Sequence, residues 1–370
     1  MTEPQRAGQQ RQRRRQTVPP IGERLRDKRV VTIGGGTGPF ALLSQLKHHP
    51  CAVTAIVSMA DSGGSSRRLM DEFGQLPLGD LRQALVALSR KGRLWRDLFA
   101  FRFRETVIEV DGDGAEPGAD TGASVAVNGG VGGHSLGNLM IAALQNLDDG
   151  NLLWAIQDAQ EILDTAGSVL PVTLDHATLV AELDDGTQVR TESEIDTRGE
   201  KHPEDMRRIK RILLEKETSP CGEAIRAIRR ADMIILGPGD LYTSVLPSLL
   251  VQGVAEAVRA SEAQKVYVCN LMTKHGETDG FRASDFVAEV HRYLGGRVDR
   301  AILHDGTFPD DLRENYAAQH QHPVEPDVEA VEQLVPDVAV DRLLAVHAGH
   351  LVRHDAERLL RAVLAPALAL

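Results

Sequence analysis

Cysteine is scarce in this chain, and the scarcity excludes two kinds of protein. Among 370 residues there are only three cysteines, Cys51, Cys221 and Cys269, and no two of them form a Cys-x-x-Cys pair. Widely spaced cysteines in odd number predict neither a disulfide framework nor a zinc site. We therefore expect reduced thiols in a cytoplasmic protein.

Long apolar runs are missing as well. No stretch of the sequence reaches the roughly 20 apolar residues that a membrane-spanning helix requires. The first residues are rich in arginine and glutamine, and no apolar stretch follows them that could serve as a secretory signal. These absences predict a protein without a membrane span.

Positive charge is in deficit, which argues against nucleic acid as the main partner. Aspartate and glutamate total 53 against 42 lysines and arginines, and the net charge is -11 with histidine neutral. Proteins that bind nucleic acid through its phosphates usually carry a basic excess. We expect a protein that handles anions only in a local pocket.

The N-terminal segment is the exception to this charge balance. Five arginines lie between residues 6 and 15, and Pro19-Pro20 follow them. This composition predicts a disordered basic tail over residues 1–29. A solvated extension is one interpretation of the tail, and contact with anionic lipid or RNA is the other. A single α/β domain is expected over residues 30–366.

Short β-branched runs alternate with segments of helical periodicity along that domain. Val30–Gly34, Val53–Met59, Met233–Leu236, Val266–Asn270 and Val298–Leu303 are apolar on both faces, as buried parallel strands are. The alternation predicts a Rossmann-like, doubly wound, mostly parallel sheet. Ligands bind such sheets beyond the carboxyl ends of the strands.

Two stretches depart from the alternation. Residues 110–133 are rich in glycine, aspartate and alanine, which predicts a mobile loop. Residues 168–196 contain short β-type runs, and Asp184-Asp185-Gly186-Thr187 between two of them predicts a hairpin turn. A small antiparallel excursion from the main sheet is therefore expected at 168–196.

The five residues after the first predicted strand are the clearest functional feature. They are Gly34, Gly35, Gly36, Thr37 and Gly38. Glycines let the backbone approach an anion, and the N-terminus of the following helix offers free N–H groups and a positive dipole end. Pro39 suits the first helical turn, where its missing N–H costs nothing. The loop predicts a phosphate site for a nucleotide or a nucleotide-sugar.

Two other interpretations of this loop stay open. It is not a P-loop, because no Gly-Lys-Ser/Thr follows it. The pattern Gly36-x-Gly38-x-x-Ala41, with Asp61 after the second strand, weakly matches the dinucleotide fingerprint, so NAD(P) is an alternative ligand. A tight strand–helix turn without a ligand is the remaining alternative.

Small polar residues after the second predicted strand add candidate ligand-binding positions. They are Asp61, Ser62, Gly63, Gly64, Ser65 and Ser66. Glycine N–H and serine O–H groups suit an anion, and Asp61 suits a ribose hydroxyl or water-mediated Mg²⁺. Downstream, Asp80 can cap its helix and Arg82 can reach a phosphate. A capped turn and a solvated arginine are the structural alternatives.

A second glycine loop and the segment after the next strand supply further candidates. Gly237, Gly239 and Tyr242 lie where a strand is again followed by a helix, which predicts a second anion site. Asn270 and Thr273 follow the next strand as part of a polar loop. Phe281, just beyond them, is a candidate for stacking on a base, with core packing as its alternative.

Two groups remain. Gly137 and Asn138 are included among the candidate ligand-binding residues and are interpreted as a point of close backbone packing near the cleft. His347, His350 and His354 belong to a strand end, a turn and a helix start, so we do not expect them to converge on zinc.

Six ordered motifs together resemble the gluconeogenesis factor family (YvcK-like proteins), relatives of 2-phospho-L-lactate transferase (CofD). The motifs are VTIGGGTG, SMADSGGSSRRLMDEFGQLPLGDLRQALVAL, GHSLGNLMIAAL, LPVTLDHATLVAELDDG, ILGPGDLYTSVLPSLLV and CNLMTKHGETDGF. They run in order from Val31 to Phe281, and weaker similarity continues to His354-Asp355. The resemblance therefore spans nearly all of the chain outside the tail and the 110–133 loop.

The resemblance implies a CofD-like fold in the cytoplasm and a regulatory protein that binds a nucleotide-sugar such as UDP-N-acetylglucosamine. Family members are linked to carbon metabolism, cell shape and wall synthesis, and the resemblance assigns no catalytic residue, metal ligand or required cofactor. The similarity to CofD supports Gly35 to Gly38 and Asp61 on the diphosphate side of a pocket. Asn270, Thr273 and Phe281 are then candidates for the nucleoside side.

The alternative function is a CofD-type transferase that acts on a phosphoanhydride donor with Mg²⁺ at carboxylates such as Asp61 or Asp80. This chain also departs from the family pattern. Asp240 stands where the family usually has serine, and Lys274-His275 stand where it usually has Gln-Pro. A protein partner is expected and not identified, and the oligomeric state, including a homo-oligomer, is left open.

Overall fold

The computed structural model describes residues 20–60, 76–104, 107–109, 124–126, 131–347 and 351–365. The predicted ligand-binding segment from Asp61 to Ser66 lies outside these residues. So do residues 1–19 of the predicted tail and most of the predicted loop at 110–133.

A seven-stranded parallel sheet forms the centre of the fold. In spatial order it contains β12 (Asp337–Asp341), β11 (Arg300–His304), β10 (Gln264–Val268), β9 (Met233–Leu236), β1 (Arg29–Ile33), β2 (Ala52–Val57) and β5 (Gly167–Pro171). Every neighbouring pair in it is parallel. The strand order reverses between β1 and β9, which confirms the predicted doubly wound, Rossmann-like fold and places a topological switch point there.

Helices connect the strands and cover the sheet. Among the described residues they are α1 (Ile21–Leu25), α2 (Gly38–Leu46), α3 (Gly79–Leu88), α4 (Arg93–Ala100), α5 (Leu136–Leu147), α6 (Leu152–Leu163), α7 (Glu192–Asp196), α8 (Arg198–Lys201), α9 (Gly222–Arg230), a π-helical turn (Leu241–Val245), α10 (Leu246–Leu250), α11 (Val254–Ala260), α12 (Ala283–Leu294), α13 (Asp310–Ala317), α14 (Val328–Leu334) and α15 (Ala356–Leu364). Helix α2 packs on α3 and α15, whereas α11 packs on α9 and α12, and α12 packs on α14. Right-handed crossovers on either side of the switch point put these two groups on opposite faces of the sheet.

The start of the domain differs from the sequence expectation. Residues 20–28 were predicted to belong to the disordered tail, but α1 is ordered and Leu25 is buried in the core. Strand β1 begins at Arg29, whose side chain and backbone N–H both bond Asp232. The predicted tail is therefore wrong from residue 20 onward, because Leu25 supplies an apolar anchor that the composition of the whole segment obscures.

The predicted antiparallel excursion is present, but its boundaries differ from the predicted range of 168–196. Strands β6 (Leu179–Leu183), β7 (Gln188–Arg190) and β8 (Ile209–Leu214) form a three-stranded antiparallel sheet. The hairpin turn at 184–187 is confirmed, with Gly186 in the left-handed region at φ 85°. Residues 168–171 belong instead to the edge of the main sheet, and β8 lies beyond 196. Periodicity alone does not tell which sheet a short apolar run joins.

Two further antiparallel pairs complete the strands of the described residues. Strands β3 (Val107–Glu109) and β4 (Ser124–Ala126) pair with each other, so residues 124–126 of the predicted 110–133 loop are a strand. Strands β13 (Leu344–His347) and β14 (Leu351–His354) form the other pair and precede α15. No single described helix is long and apolar enough to cross a membrane, although Leu241–Leu250 and Val254–Ala260, bent by 82°, pass that test as a pair.

Candidate ligand-binding cleft

A cleft of about 280 Å³ opens at the carboxyl ends of three neighbouring strands. Its walls are residues 35–38 after β1, residues 238–240 and 244 after β9, residues 270–274 after β10, Tyr316, Gln321, and residues 352–354 of β14. This is the switch point of the sheet, where open α/β sheets bind their ligands. The segments that follow β1, β9 and β10 therefore converge on one cleft.

The first glycine loop is held from beneath by Asp80. Asp80 Oδ1 accepts a hydrogen bond from the N–H of Gly36 at 2.7 Å. A Cβ atom on Gly35 would lie 2.0 Å from Asp80 Oδ2, so only glycine leaves room for the carboxylate there. Gly36 itself has φ 67°, which favours glycine. Asp80 thus positions the loop.

We expect Asp80→Ala to lower the free energy of unfolding by about 1–3 kcal/mol, because the N–H of Gly36 loses its acceptor. Urea unfolding of the purified variant measures this change. Asp97→Ala is the matched control, since Asp97 lies on an exposed face and pairs with Arg93 one helical turn away. Equal unfolding midpoints for both variants would contradict the positioning role of Asp80.

The glycine loops after β1 and β9 are in direct backbone contact. A Cβ atom on Gly38 would lie 2.2 Å from the carbonyl oxygen of Pro238 and 2.8 Å from Gly239 Cα. Gly34 and Gly237 face each other behind this contact, where a Cβ on Gly34 would lie 3.8 Å from Gly237 Cα. Gly38 and Gly239 line the cleft, whereas Gly34 and Gly237 lie behind its wall.

The N-terminus of α2 points into the cleft. Thr37 is its N-cap residue and Pro39 lies in its first turn, as predicted. In the described part of the chain, no side chain caps this end, and both Thr37 and Gly38 line the cleft. Open N–H groups and the positive end of the helix dipole together favour an anion here.

The loop after β10 contributes an amide with a spare acceptor. Asn270 Nδ2 donates to the carbonyl oxygen of Gly239 at 3.0 Å. Asn270 Oδ1 is buried and has no hydrogen-bond partner among the described residues. Thr273, which also lines the cleft, is buried and exchanges two hydrogen bonds with the backbone of His322, at 2.7 and 2.9 Å. Of these two residues, Asn270 is therefore the one whose side chain has an oxygen without a hydrogen-bond partner among the described residues.

Arg353 and Tyr316 line the cleft, and sequence reasoning missed both. Arg353 lies on β14 with an exposed side chain, and no carboxylate among the described residues lies within ion-pair distance of it. Tyr316 of α13 accepts a hydrogen bond from the N–H of Val352 at 2.9 Å, which fixes β14 against the cleft. The weaker family resemblance around His354-Asp355 was the only sequence signal near Arg353.

Several predicted site residues lie away from the cleft. Tyr242 is buried, and its ring packs edge-on against Phe281 at 6.4 Å between centroids. Phe281 also contacts Phe286, at 5.5 Å. The geometry favours core packing for both Tyr242 and Phe281, and base stacking by Phe281 does not follow from it.

Arg82, Gly137 and Asn138 form a packing contact instead. Arg82 Nε donates to Asn138 Oδ1 at 3.0 Å. A Cβ atom on Gly137 would lie 2.6 Å from the carbonyl oxygen of Phe99, which confirms close backbone packing at Gly137. Arg82 lines a second, mostly apolar cavity of about 810 Å³ that shares residues 37, 38, 353 and 354 with the cleft.

Asp240 and Lys274, which both differ from the family pattern, contact each other at the rim of the cleft. Lys274 Nζ donates to Asp240 Oδ2 at 2.8 Å and also contacts Asp196 and, at 3.2 Å, Glu277 Oε1. Burial disfavours the ammonium, but these carboxylates outweigh it and raise the pKa of Lys274. Burial also raises the pKa of Glu277, to about 8, although Lys274 opposes the shift. The ammonium of Lys274 is thus paired with these neighbouring side chains.

The histidines in and beside the β13–β14 hairpin lie at different places in it. His347 and His354 end β13 and β14, and His350 lies outside the described residues. His354 Nε2 donates to the carbonyl oxygen of Cys269 at 3.2 Å. Burial lowers the pKa of His354 to about 4, so its ring is neutral near pH 7.

Known proteins are similar to this chain in sequence and in fold. The family model described as 2-phospho-L-lactate transferase CofD matches residues 30–344. The gluconeogenesis factor of Halalkalibacterium halodurans is 39% identical over 342 residues, covering 92% of this chain and 97% of that protein. The gluconeogenesis factor of Bacillus subtilis is 38% identical over 332 residues, covering 89% of this chain and 95% of that protein. A crystal structure of a UPF0052 family protein from Bacillus halodurans, at 39% identity, covers 91% of this chain and 99% of its own with a TM-score of 0.79.

Proposed function

This chain belongs to the 2-phospho-L-lactate transferase CofD family, and from that premise we propose that it is a gluconeogenesis factor that binds a nucleotide-sugar. In this proposal the protein is cytoplasmic, the ligand resembles UDP-N-acetylglucosamine, and occupancy of the cleft reports on carbon supply. Its output would act on carbon metabolism, cell shape and wall synthesis through a protein partner that is not identified. No cofactor is required for binding.

The observation that carries this proposal is the set of anion-binding groups at the switch point. Backbone N–H groups of the first glycine loop, the N-terminus of α2 and the guanidinium of Arg353 all border one cleft. Backbone donors and a helix N-terminus bind phosphate groups, and a guanidinium strengthens the binding through charged hydrogen bonds. Since Lys274 is held by three carboxylates, Arg353 is, among the described residues that line the cleft, the cation available for the phosphates.

The two ends of the ligand have different surroundings. Asn270 and Tyr316 line the cleft on the β10 and α13 sides, where an amide and an aromatic ring suit a nucleobase. The second cavity begins at Thr37 and Gly38, on the other side of α2's first turn, and leaves room for a sugar and its N-acetyl group. We propose that the diphosphate lies between these regions.

We expect Asn270→Asp to weaken UDP-N-acetylglucosamine binding more than Asn270→Ala does. Alanine removes the amide that lines the cleft, and the loss of one hydrogen bond to the ligand costs about 0.5–1.5 kcal/mol or roughly 2- to 10-fold in affinity. Aspartate in addition places a negative charge at the nucleobase end of an anionic ligand. Calorimetric titration measures both affinities, and an aspartate variant that binds as tightly as the alanine variant would contradict this orientation.

The deciding experiment is calorimetric titration of the purified protein with UDP-N-acetylglucosamine, with and without Mg²⁺, followed by an assay for released UDP. Saturable binding with intact ligand supports the proposed sensor. Released UDP would instead support a transferase of the CofD type that uses Mg²⁺. Failure of UDP-sugars to bind at millimolar concentration, together with saturable NAD(P) binding, would overturn the proposal in favour of a dinucleotide ligand.

A further inference from the structure

Lys274 lies at the centre of a group of carboxylates that come from three separate segments. Asp196 ends α7, Asp240 follows β9, and Glu277 follows Lys274 by three residues. One oxygen from each carboxylate lies within 4.8 Å of the others. The ammonium contacts all three of them while its own side chain is 22% exposed. Three hard oxygen ligands around one cation is the arrangement that divalent metal ions also use.

A second observation indicates that one ammonium does not satisfy this group. The side chain of Glu277 is only 1% exposed. Its Oε1 faces Lys274 and the hydroxyl of Thr243, at 3.2 and 3.4 Å, but Oε2 is buried without a hydrogen-bond partner among the described residues. A buried carboxyl oxygen without a partner is costly, and a divalent cation, which binds the carboxylate form and has more coordination positions than an ammonium, would use it.

We propose that Lys274 is a built-in cation that occupies a divalent-metal site made by Asp196, Asp240 and Glu277. The ammonium excludes a metal ion by its position and by its charge, while the three carboxylates keep the number and type of oxygen ligands that Mg²⁺, Mn²⁺ or Ca²⁺ prefers. For the ligand cleft, the consequence rests on the proposed function: a nucleotide-sugar binds without a metal ion at this rim, because Lys274 already offsets the charge of Asp240.

The test replaces Lys274 and measures metal binding directly, without any nucleotide. Metal-free wild-type protein, Lys274→Met and Lys274→Gln are titrated with Mn²⁺ by calorimetry and by the electron paramagnetic resonance signal of free Mn²⁺. We expect each variant to gain one site relative to the wild type, with a Kd on the order of 10⁻⁴ M or tighter. Mn²⁺ should also raise the unfolding midpoint of the variants more than that of the wild type.

Three control variants make the result specific. Lys265→Met removes an ammonium that donates only to the carbonyl oxygens of Ser261 and Ala263, so it should gain no site. Glu277→Gln combined with Lys274→Met removes a ligand and should abolish the gained site. Asp240→Ser combined with Lys274→Gln removes one charge of each sign, and should bind no additional Mn²⁺.

The outcomes separate this inference from an ordinary salt-bridge cluster. Folded Lys274 variants that bind no more Mn²⁺ than the wild type would overturn it, as would a gained site that survives Glu277→Gln. If Lys274→Met does not fold without metal, refolding with and without Mn²⁺ decides: recovery only with Mn²⁺ supports the inference, and recovery in neither contradicts it. If the proposed function holds, nucleotide-sugar binding becomes Mn²⁺-dependent in Lys274→Met and Lys274→Gln and not in the wild type. Failure of the wild-type protein to bind UDP-N-acetylglucosamine would count against the proposed function and leave the metal result readable.

Discussion

Arg353→Ala is expected to weaken UDP-N-acetylglucosamine binding by roughly 10- to 150-fold, because a charged hydrogen bond contributes about 1.5–3 kcal/mol. Among the residues that line the cleft, Arg353 has a positive charge without a carboxylate within ion-pair distance in the described part of the chain. Its guanidinium is therefore available to the diphosphate, whereas the ammonium of Lys274 is not. Calorimetry at fixed ionic strength measures the loss.

Two variants separate charge from geometry at this position. Arg353→Lys keeps the charge and loses the planar fork, so its affinity should fall between wild type and Arg353→Ala. Arg361→Ala is the matched control, because Arg361 pairs with Glu357 on an exposed helix face and does not line the cleft. Wild-type affinity in Arg353→Ala would contradict the placement of the diphosphate within reach of Arg353.

Gly38→Val is expected to abolish nucleotide-sugar binding and to lower the free energy of unfolding by about 1–3 kcal/mol. A Cβ atom at this position would lie 2.2 Å from the carbonyl oxygen of Pro238, which is backbone and cannot rotate away. The loops after β1 and β9 must then separate, and the first turn of α2 moves from the cleft. Both effects follow from one contact, so they should appear together in urea unfolding and in calorimetric titration.

Gly92→Ala is the control for Gly38→Val. Gly92 precedes α4, and a Cβ atom there would meet no heavy atom within 4 Å. A surface substitution of this kind usually changes stability by less than about 0.5 kcal/mol, and ligand binding should be unchanged. A Gly38→Val protein with wild-type stability and affinity would show that the two loops need not touch.

The first glycine loop was predictable from sequence because its determinants are local. Gly36 adopts a positive φ, Pro39 lies in the first turn of α2, and β1 directly precedes them. The sequence also identified Asp80 as a candidate residue, but it did not predict the contact that Asp80 makes. Its carboxylate was predicted to cap a helix or bind a ligand, and the structure shows that it accepts a hydrogen bond from the N–H of Gly36. Sequence spacing identifies such a residue without telling which way its side chain points.

Side chains that line the cleft from elsewhere in the chain were not predictable in this way. Arg353 and Tyr316 come from β14 and α13, both far along the chain from β1, and only packing of the hairpin against α13 places them there. Phe281 illustrates the opposite error. Its polar neighbours favoured a ligand contact, but its ring packs on Tyr242 and Phe286. Burial of an aromatic ring is a tertiary property that the adjacent residues do not encode.

The sequence by itself determined the alternation of strands and helices, the position of the glycine loops and the family, because each depends on local periodicity, on residues that permit special backbone angles, or on ordered motifs. Only the tertiary structure decided which groups share the cleft and which charges remain available within it. Asp240 and Lys274 stand 34 residues apart and neutralise each other across the rim. That pairing arises because parallel strands β9 and β10 end side by side, and among the described residues it leaves Arg353, from a distant hairpin, as a cation that lines the cleft without an ion-pair partner.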